Sequence, residues 1–194
     1  MSSRESILQA VLHNQPESTP LPDISIFKVE FEDIVQKYID MFTSISGTIH
    51  AVNNIEEVKE LLGQAFDLSK RTITTLPELN DIAEQYSPDA DPHSFDDVEL
   101  AIIKSNLAVA ENGALWLTEG DMGQRIIPYI CQHLVVLLNA DDIVASMHDA
   151  YKVIGLNDYG FSGFIGGPSK TADIEQALVL GAHGPLTMTV FIMK

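Results

Sequence analysis

Three short segments combine residue types that could hold or attack a small anion, and the richest is Gly166 to Thr171. Its glycines would let backbone N–H groups approach a ligand closely, and Lys170 adds a positive charge. The segment follows an apolar run and precedes a predicted helix, whose first N–H groups lack partners within the helix and attract anions. A phosphate or carboxylate is the expected ligand. The candidate contacts are Gly166, Gly167, Ser169, Lys170, Thr171 and Asp173.

The same segment also fits an ordinary strand-to-helix turn, with Ser169 or Thr171 as the helix cap. Asp173 and Glu175 would already place negative charge in the first helical turn, which weakens the attraction for an anion. A phosphate loop of the nucleotide-hydrolase type is excluded because its Gly-Lys-Thr order is absent. The turn and the anion site both stay open.

The second segment, Glu111-Asn112-Gly113, lies between two apolar runs. Asn-Gly is a strong hairpin signal, so the structural interpretation is a tight turn with Glu111 as a solvated neighbour. Alternatively, the turn lies at the mouth of the sheet, with Asn112 and Gly113 contacting a ligand. A partly desolvated Glu111 could then act as a base or a carboxylate nucleophile.

The third segment is His183-Gly184, which precedes the last predicted strand. His183 could bond the final carbonyls of the preceding helix, or it could face the glycines as a proton donor or anion ligand, with Gly184 beside it. Arg125 stands out because basic residues are rare in this chain. It could pair with a substrate carboxylate, but the many acidic side chains favour an ordinary salt bridge.

No metal site is predicted. Cys131 and His133 have no second ligand pair nearby, as a structural zinc site would need. Residues 78–99 carry eight carboxylates and no Lys or Arg, but the regular spacing of calcium ligands is missing. That stretch is interpreted as a solvated loop.

The composition sets limits on the partners. The chain has 194 residues and a formal net charge of -17, so it should repel nucleic acid and anionic lipid surfaces. Cys131 is the only cysteine, which excludes an internal disulfide and a cysteine-ligated iron–sulfur cluster held by this chain alone. No apolar run is long enough to span a membrane, and the expected location is the cytoplasm. Proline spacing predicts an N-terminal arm over 1–23, with a short helix near Ile7, and one domain over 24–194.

Apolar periodicity supplies the elements that would position these residues. Helices are predicted from Ile26 to Ile45, after a cap at Asn53 or Asn54, from Asp96 or Asp97 through Lys104, from Asp141 onward, and from Thr171 to Leu180. Strands are predicted at Thr48 to Val52, Leu107 to Ala110, Ala114 to Leu117, Leu134 to Leu138, Phe161 to Ile165 and Thr187 to Met193. This alternation predicts an α/β fold, with a mixed or mainly parallel sheet flanked by helices on both faces.

The second half of the chain resembles the lactate-utilisation protein C family, whose members share the LUD domain. The resemblance spans roughly residues 100–194. It is carried by the stretch from Ala108 to Leu115, by Arg125-Ile126-Ile127-Pro128 before Leu134, and above all by Gly167 to Glu175 with Leu178 to Pro185.

The resemblance implies a fold of the class shared by CoA transferases, ribose-phosphate isomerases and glucosamine-phosphate deaminases. It further implies a part in oxidising L-lactate to pyruvate beside cysteine-rich iron–sulfur proteins. With one cysteine, this chain is expected to be a non-redox subunit or accessory protein, with the clusters on its partners and no cofactor of its own.

Two alternatives belong to other classes. Glu111-Asn112-Gly113 looks like the Glu-Asn-Gly signature of CoA transferases, in which the glutamate forms an acyl thioester. In that case backbone N–H groups near Gly166 and Gly167 would stabilise the oxyanion. Alternatively, the chain is a binding module for a small carboxylate or sugar phosphate, with Ser169, Lys170, Thr171 and His183 as contacts.

Overall fold

The computed structural model describes residues 2–157, 159–172 and 178–194. The helices are α1 (Ser3–His13), α2 (Ile34–Ser44), α3 (Ile55–Ala65), α4 (Glu119–Met122), α5 (Ile127–Ile130) and α6 (Met147–Ile154). The strands are β1 (Thr48–Val52), β2 (Thr72–Thr74), β3 (Glu84–Gln85), β4 (Leu100–Ser105), β5 (Ala108–Val109), β6 (Ala114–Thr118), β7 (His133–Asn139), β8 (Ile143–Val144), β9 (Ser162–Ile165), β10 (Lys170–Ala172), β11 (Leu178–Leu180) and β12 (Thr187–Met193). None of the described helices has the length and apolar character needed to cross a membrane.

Six of the described strands form one parallel sheet in the order β1-β12-β7-β4-β2-β3. At its centre Val136 of β7 lies opposite Ile103 of β4 on one side and Val190 of β12 on the other. The central strands β4, β7 and β12 are mostly apolar and buried because both faces of the sheet are covered there. The α/β prediction with a mainly parallel sheet is therefore confirmed.

Alternation along the strands divides the core between the two faces. Ile103 and Val136 pack in the cluster that contains Tyr38 and Phe42 of α2. Their neighbours in sequence point the other way, into the cluster built around Leu62 of α3. Successive strand side chains point to opposite faces, so one strand serves both clusters. Helices on both faces were predicted, and this arrangement confirms them.

A second, mixed sheet has the order β8-β5-β6-β9. The strands β5 and β6 form an antiparallel hairpin, with Ala108 opposite Leu115, so the tight turn predicted at 111–113 is confirmed. The predictions for β1, β7, β9 and β12 are also confirmed, as is Asn54 as the cap of α3, where its side chain accepts the Glu57 N–H.

The helix predicted from Asp96 or Asp97 through Lys104 is wrong, because Leu100–Ser105 is the strand β4. It pairs with β2 and β7, and all its residues except Lys104 are buried. The carboxylate of Asp97 binds Arg71 instead of capping a helix. Burial between two strands outweighed the local capping signal.

The helix predicted from Thr171 to Leu180 is also wrong at both described ends. Lys170–Ala172 and Leu178–Leu180 are paired antiparallel strands, with Lys170 opposite Leu180. Residues 173–177, including the candidate Asp173, lie outside the described residues. A ten-residue helix would hold its ends about 15 Å apart. Here the Gly181 N–H donates to the Ser169 carbonyl at 3.0 Å, which brings the two ends together.

Two other predicted helices are shorter than expected. The segment predicted from Ile26 to Ile45 is α-helical only over Ile34–Ser44, where Asp33 accepts the Gln36 N–H as the cap. The helix predicted from Asp141 begins at Met147, after the strand β8 has paired with β5. In both cases a capping side chain further along the chain sets the true start.

Candidate functional site

The turn at Glu111-Asn112-Gly113, here called the Glu111 turn, lies beside the segment 166–170, here called the glycine bend. The turn precedes β6 and the bend follows β9, and these strands pair antiparallel with Leu115 opposite Ile165. Ile45, just after α2, contacts both segments. A Cβ atom placed on Gly113 would lie 3.1 Å from Ile45 Cδ1, and one placed on Gly166 would lie 3.5 Å from the same atom.

The loop 181–185 completes this surface. The Ser169 N–H donates to the Pro185 carbonyl at 2.9 Å, and a Cβ atom on Gly184 would lie 3.2 Å from Ser169 Cβ. The imidazole of His183 is exposed and makes no hydrogen bond to another described residue. It follows a strand, so the predicted contact with helix carbonyls does not form. The structure thus brings the backbones of all three predicted segments together.

Gly167 is required by the local geometry of the bend. Its φ is +71°, in the left-handed region that residues with a Cβ rarely adopt. A Cβ atom there would lie 2.7 Å from the Ile45 carbonyl oxygen and 2.9 Å from Lys170 Nζ. The absent side chain leaves the space in which the end of Lys170 lies.

The bend concentrates hydrogen-bond donors. Within the described part of the chain, the N–H groups of Gly166 and Gly167 have no acceptor, and β9 is an edge strand. Lys170 Nζ donates to the Pro168 carbonyl at 3.3 Å and pairs with no carboxylate of a described residue. Although much of the side chain is exposed, desolvation at this position lowers the pKa of Lys170. Two amide N–H groups and one ammonium suit a small anion.

The Glu111 carboxylate is used by a neighbouring helix. Its Oε1 accepts the N–H of Met147, the first residue of α6, at 3.1 Å. The helix dipole favours negative charge at that point. Asn112 Oδ1 accepts the Ala114 N–H at 3.0 Å, which is an ordinary turn contact. These bonds give Glu111 and Asn112 structural roles and leave Gly113 as the part of the turn nearest the bend.

Arg125 lies apart from the glycine bend. Its guanidinium makes two contacts with the Glu119 carboxylate, at 2.6 and 3.2 Å, and stacks on Phe161. The ion pair lowers the pKa of Glu119. Phe161 precedes β9 whereas the bend follows it, so the four strand residues put roughly 13 Å between them. Arg125 instead lines a separate cavity of about 390 Å³ with Gln124.

Comparison with known proteins places this site within a family. The model of the LUD domain matches residues 88–193, which is more than half of the chain. The chain belongs to the LUD domain family. The matched range contains the Glu111 turn, the glycine bend and the loop 181–185, so the whole surface except Ile45 belongs to the LUD domain.

Among the relatives, Lactate utilization protein C 1 from Bacillus mycoides is 30% identical over 101 residues, which are 49% of this chain and 43% of that protein. Lactate utilization protein C from Shouchella clausii is 33% identical over 93 residues, which are 45% of this chain and 41% of that protein. The chain therefore spans about two fifths of the length of the curated relatives it matches.

A crystal structure of a DUF162 family protein from Deinococcus radiodurans has the same fold. The two structures align with a TM-score of 0.66 at 15% sequence identity, and the alignment covers 86% of this chain and 100% of the DUF162 family protein. At this identity the likeness concerns the fold alone.

Sequence reasoning missed Ile45 and its neighbour Ser46. Ser46 has a positive φ of 71°, which is uncommon for a residue with a side chain. Both lie outside the range matched by the LUD domain model. An isoleucine at a helix end carries no chemical signal, so only the fold could place it against the bend.

The predicted ligand contact Thr171 is used within the β10–β11 pair, where its Oγ1 donates to the Val179 carbonyl at 3.4 Å.

Proposed function

We propose that this LUD domain chain is a non-redox subunit or accessory protein of an iron–sulfur system that oxidises L-lactate to pyruvate, and that it binds a small carboxylate at the glycine bend. The observation that carries the binding role is the Lys170 ammonium in the same bend as the N–H groups of Gly166 and Gly167, which have no acceptor among the described residues. The relatives named Lactate utilization protein C support the choice of pathway.

A monocarboxylate fits the bend better than a phosphate does. The chain carries a formal net charge of -17, and the bend offers one ammonium and two amide N–H groups. One ammonium balances a single negative charge, whereas a phosphate dianion would leave a second charge in a strongly negative field. The acidity of the chain therefore selects for small, singly charged ligands.

The state of Cys131 supports the non-redox role. Cys131 is 2% exposed, and burial raises the pKa of its thiol to about 12. Thiolates, not thiols, ligate iron–sulfur clusters, and a cubane cluster needs four of them. The residues of this chain do not fit a cluster, so we assign the clusters and the electron transfer to cysteine-rich partner proteins.

The pathway role is tested by reconstitution. The chain should co-purify with the iron–sulfur proteins encoded beside it and should raise their rate of lactate-dependent electron transfer. The variant Lys170→Gln should still co-purify but should stimulate the rate less, with Lys152→Gln as the matched surface control. Equal rates with and without the chain, and no co-purification, would remove the pathway role.

The binding role is tested separately by thermal unfolding. Saturating L-lactate or pyruvate should stabilise the native chain by mass action, by about 2.7 kcal/mol at one hundred times the Kd. Lys170→Gln should lose that shift and Lys152→Gln should keep it, because Lys152 is exposed and pairs with Asp149. Equal ligand-induced shifts in both variants would contradict the site.

The CoA transferase alternative stays a prediction with less support. A thioester at Glu111 would require its carboxylate to leave the Met147 N–H. Incubation with acyl-CoA followed by hydroxylamine would leave a modified Glu111 peptide if the alternative were right.

A further inference from the structure

Lys170 differs from the four ion-paired lysines of the described chain in what its ammonium contacts. Four lysines form ion pairs with carboxylates: Lys28, Lys59, Lys70 and Lys152. Lys170 instead donates to a backbone carbonyl, that of Pro168, and its Nζ lies where a side chain of Gly167 would be. Its ammonium therefore lies in a pocket left by a glycine, with no carboxylate of a described residue paired to it.

The surroundings of Lys170 make its ammonium easier to deprotonate than those of the ion-paired lysines. Ion pairing raises the pKa of Lys59 and Lys70, whereas desolvation lowers the pKa of Lys170. A neutral lysine amine is a nucleophile toward carbonyl carbon, and desolvation is a common way to make one available near neutral pH. The position of Nζ in the glycine pocket and the lowered pKa together make Lys170 the candidate amine at the proposed anion site.

We propose that Lys170 holds a 2-oxo acid covalently, as an imine between Nζ and the C2 carbonyl carbon, while the N–H groups of Gly166 and Gly167 bind its carboxylate. This inference rests on the small-carboxylate site proposed above. The neutral amine adds to C2 and forms the C–N bond. The former carbonyl oxygen then leaves as water with the two amine protons, so no oxidant or reductant is needed.

Covalent capture gives the site a means of discrimination. A 2-oxo acid such as pyruvate has the carbonyl that the amine needs, whereas the corresponding 2-hydroxy acid, L-lactate, has none. Both acids present the same carboxylate to the glycine N–H groups. The chain therefore distinguishes the oxidised acid from the reduced one by chemistry at Lys170, and it holds the product of lactate oxidation more firmly than the substrate.

Reductive trapping tests the imine. The full chain is incubated with pyruvate and sodium cyanoborohydride, digested and mapped by mass spectrometry. One reduced pyruvate should be found on Lys170, and none should be found with L-lactate. Lys170→Arg keeps the charge and should abolish the label, whereas Lys152→Arg should leave it in place.

The outcomes separate this inference from the proposed binding site. Label spread over the exposed lysines, or undiminished label in Lys170→Arg, overturns the imine. Equal stabilisation by pyruvate and L-lactate without any trapped product also overturns it, while the non-covalent carboxylate site survives. Absence of both stabilisation and label removes the site itself.

Discussion

The six-stranded sheet and the glycine bend use the backbone in opposite ways. In the sheet, β12 lies between β1 and β7 and forms hydrogen bonds with both, and its side chains from Met188 to Ile192 are buried. At the bend, two glycine N–H groups have no acceptor and Lys170 pairs with no carboxylate, as far as the described residues are concerned. Backbone N–H groups and charged side chains that form no bond within the fold are available to a ligand. We therefore expect stability and ligand binding to depend on different residues.

The largest effect should come from the core that covers the sheet. Leu62 is fully buried in α3 against the sheet, whereas Leu156 is fully exposed. Leu62→Ala should lower the free energy of unfolding by about 2–5 kcal/mol, because it leaves a cavity. Leu156→Ala should change it by less than about 0.5 kcal/mol. Urea denaturation measures both, and similar losses in the two variants would show that the core has been assigned wrongly.

The sheet was also the part most accessible from sequence. Leu134 to Leu138 is a short apolar run rich in β-branched residues, and it is the centre of β7. Residues 100–105 contain the same kind of run, but Asp96 and Asp97 before it are typical helix N-cap residues and favoured the prediction of a helix. Only the pairing of β4 with β2 and β7 shows that residues 100–105 form a strand and not a helix. Local patterns cannot report a partner strand that is distant in sequence.

A Gly→Ala pair compares the bend with a helix. At Gly167 the positive φ and the contacts with the Ile45 carbonyl oxygen and Lys170 Nζ should make Ala destabilising by about 1–3 kcal/mol. At Gly63 in α3 no atom lies within 4 Å of the added Cβ, so Ala should stabilise by about 0.5–1 kcal/mol. Thermal unfolding measures the sign of the stability change in each variant. A stabilising Gly167→Ala would mean that the bend has another conformation.

The candidate site was predicted in part. Gly113, Gly166, Gly167, Ser169 and Gly184 do come together, because the antiparallel pairing of β6 with β9 and the bonds of Ser169 join three segments. The distance between Arg125 and these residues could not be predicted from the sequence. Arg125 contacts Phe161, which precedes β9, whereas the glycine bend follows the end of that strand. The β10–β11 pair was missed because its sequence has helical composition, whereas its strands pair with each other beside the bonds that Ser169 makes to Gly181 and Pro185.

A smaller effect is expected at the helix that covers the sheet. Asn54 Oδ1 accepts the Glu57 N–H at 3.0 Å and so caps α3. Asn54→Ala should cost about 1 kcal/mol, whereas Asn54→Ser, which keeps a capping oxygen, should cost almost nothing. Urea denaturation distinguishes the two variants. If Ala and Ser behave alike, the capping bond contributes little and α3 is held by Leu62 and its neighbours alone.

The smallest effect tests whether the Glu111 turn belongs with the stabilising region or with the binding region. Glu111→Gln keeps an oxygen for the Met147 N–H and removes only the charge at the start of α6. The loss should be about 0.3–1 kcal/mol and should shrink in high salt, since the helix dipole interaction is screened. Ligand-induced stabilisation should be unchanged, with Glu119→Gln as the control on the Arg125 side. If Glu111→Gln instead leaves stability unchanged and abolishes the ligand-induced stabilisation, the Glu111 carboxylate contacts the ligand. Stabilising and binding residues would then not be separate at this turn.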